Sequence, residues 1–523
     1  MTLIPPSIFN DVIGPVMRGP SSSHCAAALR IGRLARDLMA GRIERVLLEL
    51  DSKGSLATTH ADQGSDMGLF GGLLGWETWE ERLADSASAA RDAGIGVDIR
   101  IGDFGDPHPN TYRLTLSNCR ETHHMIALST GGGVIEVVEI DQIPLSLTGD
   151  RFETLLSVAS VGMDLHELLK EAVAADEILL HTGNGRTLIE ITGRQPLPES
   201  VLTRLASRKE VDWIRALAPV LPILGAKDVR VPFVTCAQML EWNRDRQLDL
   251  AGLAAAYESA RGGIPAQEAE DRMLEIVRLL RRSIAHGLQG TRCEDRILGV
   301  QSAAFQTGME KGKLLDAGML NTMILYATAL MEAKSAMAVI VAAPTAGACG
   351  ALPAAVVAAA EIMGRPEADM ARALLAAGII GVFISARSTF AAEVCGCQAE
   401  CGAGSGMAAA ALATLAGGSA MEAADAASMA LQNILGLVCD PVANRVEVPC
   451  LGRNVLAVSN ALACANMALA GFDPVIPLDE VIDAMDRVGK SLPPELRCTG
   501  LGGLAITPAS RAIAERLRRK PSS

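Results

Sequence analysis

Aromatic residues are scarce in this chain: Phe, Trp and Tyr together make up 3% of its 523 residues. Glycine is abundant at 50 residues and alanine dominates the second half, which predicts closely packed helices joined by tight turns rather than a β-sandwich. Positive charge is also short. Lys and Arg number 47 against 60 Asp and Glu, a net charge of -13, so no basic surface offsets a phosphate backbone and nucleic-acid binding is excluded as the main task. The opening MTLIPPSIFNDVIGPVMRG has no basic start, apolar run or small-residue cleavage site, and a cytosolic protein is expected. No clean membrane span stands out either. The uncharged run from Ser335 to Ala360 has the length, but Pro344, Gly347, Gly350 and Pro353 interrupt it, and a buried helix-turn-helix is the expectation. With 49% hydrophobic and 20% charged residues, global disorder is ruled out.

What is present falls into stretches of different character. Residues 1–152 carry the strand signals VLLELDSKG, GVDIRIGDF, YRLTLSN, MIALSTGGGVIEVVEI and PLSLTGD, with helical pieces such as Ser23 to Ala40 between them, and read as an α+β domain. Residues 153–228 form a short module and linker, with a hairpin turning at Gly183-Asn184-Gly185 and an amphipathic stretch through LPESVLTRLASRK; a regulatory-type α+β unit and a plain linker both fit. Residues 229–515 are helical in pattern throughout, and 516–523 are a tail. The fold class is thus an α+β N-terminal domain followed by a mainly α-helical C-terminal domain. APTAGACGALP, EVCGCQAECGAGSG and CDPVANRVEVPCLGRN break the helical half, and loops of this kind are where chemistry is sought.

Twelve cysteines are unevenly spread: Cys25, Cys119, Cys236 and Cys293 are scattered, while Cys349, Cys395, Cys397, Cys401, Cys439, Cys450, Cys464 and Cys498 crowd the last third. In a reducing cytosol such crowding favours metal or thiol chemistry over disulfides. Iron-sulfur centres need thiolates converging from loops on one point. A zinc ribbon would want two CxxC pairs, and a redox dithiol would want one; neither is here. Cys464 and Cys349 are read as packing residues.

Gly396-Cys397-Gln398-Ala399-Glu400-Cys401-Gly402, Cys439-Asp440-Pro441-Val442 with Val448-Pro449-Cys450, and Gly502-Gly503-Leu504-Ala505 resemble the α part of the iron-sulfur-dependent L-serine dehydratases. Ser7-Ile8-Phe9 to Gly14-Pro15 and Gly19-Pro20-Ser21-Ser22-Ser23-His24 resemble the β part of the same family, as though both were fused in one polypeptide. The resemblance implies a [4Fe-4S] cluster held by Cys397, Cys439 and Cys450, with one iron open to a small amino-acid substrate. It implies L-serine ammonia-lyase activity without pyridoxal phosphate. Only Lys334 and Lys490 lie between positions 330 and 500, neither in a recognisable cofactor loop. An open iron is a Lewis acid that helps hydroxide leave, whereas four thiolates would make an electron carrier. A homodimer is expected from so apolar a helical half.

The N-terminal half supplies candidates for the opposite wall. GPSSSH places Ser21, Ser22, Ser23 and His24 at a helix start, where they serve either substrate binding and proton transfer or plain capping. The family loop usually continues Lys-Gly-His-Gly-Thr-Asp where this chain has Ala61-Asp62-Gln63-Gly64-Ser65-Asp66. Gln63 cannot act as a base, so either His60 substitutes or the substrate differs. The element Asp106-Pro107-His108-Pro109-Asn110-Thr111 offers His108 and Asn110, or a simple turn. Gly132, within Ser129-Thr130-Gly131-Gly132-Gly133, could bring backbone amides to a carboxylate or form a bulge. Thr345 and Gly347, before a buried helix, complete the substrate-side set. The chain ends Arg-Arg-Lys-Pro-Ser-Ser, so no terminal thiolate caps the iron; Cys498 could approach instead.

Overall fold

β1 (Val16–Met17) pairs antiparallel with Ile340–Val341, joining the sheet-rich N-terminal region to the helical one. The computed structural model describes residues 5–159, 169, 175–225, 229–292 and 296–519; Cys293, His166 and parts of the 153–228 module lie outside them. Next along the chain come β2 (Arg45–Asp51), β3 (Gly96–Gly102), β4 (Thr111–Ser117), β5 (Thr122–Gly131), β6 (Val134–Ile140) and β7 (Ile143–Leu147). They form one six-stranded sheet in the order β3-β2-β4-β5-β6-β7, parallel only between β2 and β3. Val46, Leu48 and Leu50 alternate into the core with Leu114 and Leu116, the period of two that the sequence displayed.

Helices Ala27–Leu38 and Ser65–Leu73 cover this sheet and touch backbone to backbone. Gly68 and Gly72 make that approach possible: a Cβ on Gly68 would lie 2.0 Å from the Cys25 carbonyl oxygen, and one on Gly72 would lie 2.1 Å from that of Leu29.

A second, four-stranded antiparallel sheet has the order β11-β8-β10-β9, from β8 (Phe152–Val158), β9 (Glu177–Gly183), β10 (Arg186–Gly193) and β11 (Val211–Leu217). The expected hairpin is there: Gly183 pairs with Arg186 around Asn184 and Gly185, both at positive φ (50° and 71°), as a two-residue turn requires. The amphipathic stretch is the helix Glu199–Ala206.

From Cys236 onward the architecture is helical. Helix Cys401–Leu415 runs through the middle, packed by Glu367–Arg387, Ala420–Gln432, Cys450–Leu469 and Ala351–Ile362. Its buried face is alanine and glycine almost throughout, which lets neighbouring helices approach closely without aromatic bulk. The run from Ser335 to Ala360 is a helix end, a short strand, a loop and a new helix. Among the described residues, the helix long and apolar enough to cross a membrane is Glu367–Arg387, and 78% of its most apolar window is buried inside the protein.

Candidate active site

Three loop geometries bring thiols together. Cys397 follows Gly396, which sits at φ 71°. Cys439 is held by its backbone between Leu496 and Cys498: its N–H donates to the Leu496 carbonyl at 2.8 Å, and its carbonyl accepts from Cys498 N–H at 2.9 Å. Cys450 opens the helix Cys450–Leu469. All three are buried. The Sγ atoms of Cys397 and Cys439 and a carboxylate oxygen of Glu400 lie within 4.8 Å of one another. Cys450 stands outside that tight group, yet near enough for the charge of Cys397 to bear on it. Among the described residues every cysteine is a free thiol.

The electrostatics separate these thiols. Cys397 is held well below the ordinary thiol range, by hydrogen bonds from the Cys401 and Cys439 thiols and by the Arg453 guanidinium, against the cost of burial. Burial raises Cys450. A soft, buried donor set of this kind, with one thiol already favoured as thiolate, fits an iron-sulfur centre. Cys349 packs against Met331, its Sγ 3.9 Å from the thioether sulfur, and burial pushes it up to about 11, in keeping with a packing role. Cys498 does approach, clustering with Cys397 and Cys439.

Glu400 and its neighbours form the floor. Thr345 Oγ1 donates to Glu400 Oε1 at 2.7 Å, and Gly347 leaves room for that carboxylate, since a Cβ there would lie 3.0 Å from it. Asn454 ties the loop down, donating to the carbonyls of Gly347 and Cys450 at 2.8 Å each. Fully buried Lys334 donates to the Val446 carbonyl.

The N-terminal residues close the other side. Thr59 Oγ1 donates to the Ser55 carbonyl at 2.7 Å, so it must accept from His24 Nε2–H at 2.8 Å. That fixes the tautomer, and His24 Nδ1 accepts from Ser21 Oγ at 3.0 Å. Burial, aided by the charge of His60, brings His24 down to about 3; it is a neutral imidazole. Ser22 Oγ accepts from Ala346 N–H at 3.1 Å, and the Ser23 carbonyl accepts from Ser129 Oγ at 2.7 Å. Ser22 is thereby occupied in joining the halves, while the Ser23 contact lies within the N-terminal region. Gly132, at φ 62°, lies against the Pro344 carbonyl, 3.2 Å from where its Cβ would be.

Two expected residues sit apart from this cluster. His60 Nδ1 is bound to Asp66 at 2.8 Å, which raises its pKa. His108 accepts from Asn110 N–H at 3.2 Å and lines a cavity of about 380 Å³ with Asp11, Thr130, Gly131, Phe390 and Val394. Gln63, where the resemblance calls for histidine, is buried with Nε2 3.6 Å from Cys498 Sγ.

The sequence reading passed over Glu393. Its Oε1 is 3.5 Å from His24 Nδ1, it is buried, and burial raises its carboxyl. The signal was available: between Arg387 and Glu422 the only charged residues are Glu393 and Glu400, and an isolated charge in an apolar stretch needs a reason.

Comparison with known proteins identifies the family. A family model described as serine dehydratase alpha chain matches residues 187–505. L-serine dehydratase 1 of Escherichia coli (strain K12) is 33% identical over 93% of this chain and 96% of its own length. The probable L-serine dehydratase alpha chain of Bacillus subtilis (strain 168) is 36% identical over 54% of this chain and 95% of its own length. The corresponding probable beta chain of B. subtilis is 39% identical over 30% of this chain and 74% of its own length. The chain therefore belongs to the serine dehydratase family.

Proposed function

We propose that this chain is an iron-sulfur-dependent L-serine ammonia-lyase that converts L-serine to pyruvate and ammonia by β-elimination, without pyridoxal phosphate. The observation that carries the reading is the convergence of buried Cys397 and Cys439 beside Glu400 in a chain related along 93% of its length to an L-serine dehydratase. Cys397, Cys439 and Cys450 would hold the cluster. A [4Fe-4S] cluster on three thiolates supplies an open, Lewis-acidic iron for the substrate's carboxylate and β-hydroxyl.

The chain's own groups do the rest. Arg453, anchored by Asp440, balances thiolate charge. Ser21, Ser22, Ser23, Asn110, Gly132, Thr345 and Gly347 form the substrate side, with the Asn110 amide beside Glu393 and Thr345 setting Glu400. His24, neutral and donating through Nε2, orders the wall facing the thiols. His60 acts on it through charge, and His108 stands at the adjoining cavity. Lys334 and Lys490 are both engaged, with Val446 and Asp486, which favours chemistry without a Schiff base. The reading includes a cytosolic setting and a homodimer.

Pyruvate release from L-serine by anaerobically reconstituted protein tests the proposal; turnover of about 1 per second or faster is an ordinary enzyme rate. A second reading keeps the cluster and moves to another β-substituted amino acid such as L-cysteine. It rests on Gln63, which donates toward Cys498 Sγ at 3.6 Å where a basic side chain was expected. Silence with L-serine from a protein holding four irons would favour it. Zinc without acid-labile sulfide would sink both.

A further inference from the structure

Unsatisfied polar atoms gather at one place in this site. Asn110 is fully buried, yet among the described residues neither Oδ1 nor Nδ2 makes a hydrogen bond of good geometry; the same is true of Glu393 Oε2. Leaving a buried donor or acceptor unpaired costs about 1–3 kcal/mol each, so three together mark a place built for a polar visitor. Glu393 and Asn110 are neighbours, since the Asn110 amide draws the Glu393 carboxyl down against its burial. The other oxygen, Oε1, faces His24 Nδ1 at 3.5 Å without bonding it, because Nδ1 is already served by Ser21. Glu393 thus has the Asn110 amide beside it and one oxygen, Oε2, that no well-formed hydrogen bond occupies.

We infer that Glu393 is the base that removes the α-proton, and that Asn110 holds the substrate's α-amino and carboxylate groups so that this proton faces Glu393 Oε2. The inference rests on the lyase reading above. In the step, the Cα–H bond breaks as an O–H bond forms on Glu393. The electron pair becomes the Cα–Cβ double bond, and the β-hydroxyl leaves with the C–O pair as hydroxide. Glu393 returns the proton to that hydroxide as water, so aminoacrylate and water are formed and the carboxylate is restored. An amide opposite a carboxyl suits a zwitterion: Nδ2 donates to the carboxylate while Oδ1 accepts from the ammonium. The substrate's ammonium also favours the ionised, proton-accepting form of Glu393. His24 is a poorer candidate, since it donates through Nε2 to Thr59 and its Nδ1 is taken by Ser21.

The test is anaerobically reconstituted wild type, E393Q, E393D and N110A, with iron and sulfide counted per chain and rates expressed per cluster. L-serine binding is followed separately by the change in cluster absorption. E393Q is expected to bind L-serine within threefold of wild type while kcat falls roughly 10²–10⁴-fold, the usual weight of a general base. E393D should recover part of that loss. N110A should raise KM more than it lowers kcat. An E393Q rate within tenfold of wild type overturns the inference, as does loss of the cluster in both Glu393 variants, which would make the residue structural. A loaded wild type that releases no pyruvate overturns the lyase reading instead.

Discussion

Arg453 serves two partners at once: Nη2 donates to Asp440 Oδ1 at 2.6 Å, and Nη1 lies 3.5 Å from Cys397 Sγ. The Asp440 carboxylate is fixed in turn by Leu504 N–H at 2.8 Å, from the glycine-rich stretch near the end of the chain. A guanidinium so anchored stabilises a thiolate beside it without moving. Replacing Arg453 by Gln is expected to weaken cluster binding by about 10–100-fold, as loss of groups supporting metal ligands generally does. The rate at which a chelator strips iron from the reconstituted protein measures this, and an unchanged rate would show that the arginine only packs.

The pH dependence of folding has a source far from the thiols. Ser7 Oγ donates to Glu258 Oε1 at 2.5 Å and Ile8 N–H donates to Oε2 at 2.8 Å, with the carboxyl wholly buried. Burial pushes Glu258 up to about 7 from its ordinary 4.5, against those hydrogen bonds. The folded chain therefore keeps this proton to higher pH than the unfolded chain. Its contribution to stability is fully present below pH 4.5 and declines as pH rises toward about 7, by at most about 1.4 kcal/mol per pH unit. Asp11, raised to about 6 by burial, acts in the same direction. Urea unfolding of the metal-free protein at pH 5 and pH 7.5 should show a smaller loss in E258Q than in wild type; equal losses would assign the dependence elsewhere.

Two histidines in the same region should titrate differently. His24 is brought down to about 3 by burial, while its neighbour His60 is raised by its hydrogen bond to Asp66. With histidine-selective isotope labelling, the ring signals of His24 are expected to stay fixed between pH 5 and 8, those of a neutral imidazole protonated at Nε2. His60 should move within that range or above it. A titrating His24 would contradict the Ser21–His24–Thr59 chain of hydrogen bonds.

Much of this was legible in the sequence because its signals are local. Period-two alternation marked β2 and β4, Asn184-Gly185 marked the hairpin, and prolines and cysteines marked the loops that carry Cys397, Cys439 and Cys450. Roles set by tertiary contact were not legible. Ser22 and Ser23 carry the motif, yet they bond Ala346 and Ser129, hundreds of residues and about a hundred residues away respectively. Nor did any motif announce that Asp66, six residues on, holds His60 by Nδ1. Glu393 was hidden differently: its neighbours His24 and Asn110 come from the other half of the chain, which no spacing rule records.

One substitution tests how closely the elements of the N-terminal wall are packed, because the same change should have opposite signs at two helical glycines. Alanine normally stabilises an exposed helix position by about 1 kcal/mol over glycine. Gly452, in the helix Cys450–Leu469, has open space where its Cβ would be, so G452A should gain some of that. Gly68, in the helix Ser65–Leu73, would place its Cβ 2.0 Å from the Cys25 carbonyl oxygen and 3.0 Å from the Cys25 Cα. These are backbone atoms of the turn that carries His24, so no side-chain rotation relieves the clash; helix and turn must separate. G68A is expected to lose about 1–3 kcal/mol, the scale of an overpacked core, and to disturb the Ser21–His24–Thr59 chain as the turn shifts. Urea midpoints of the two variants measured together decide it: a stabilised G68A would mean that the glycines between these helices do not set their separation.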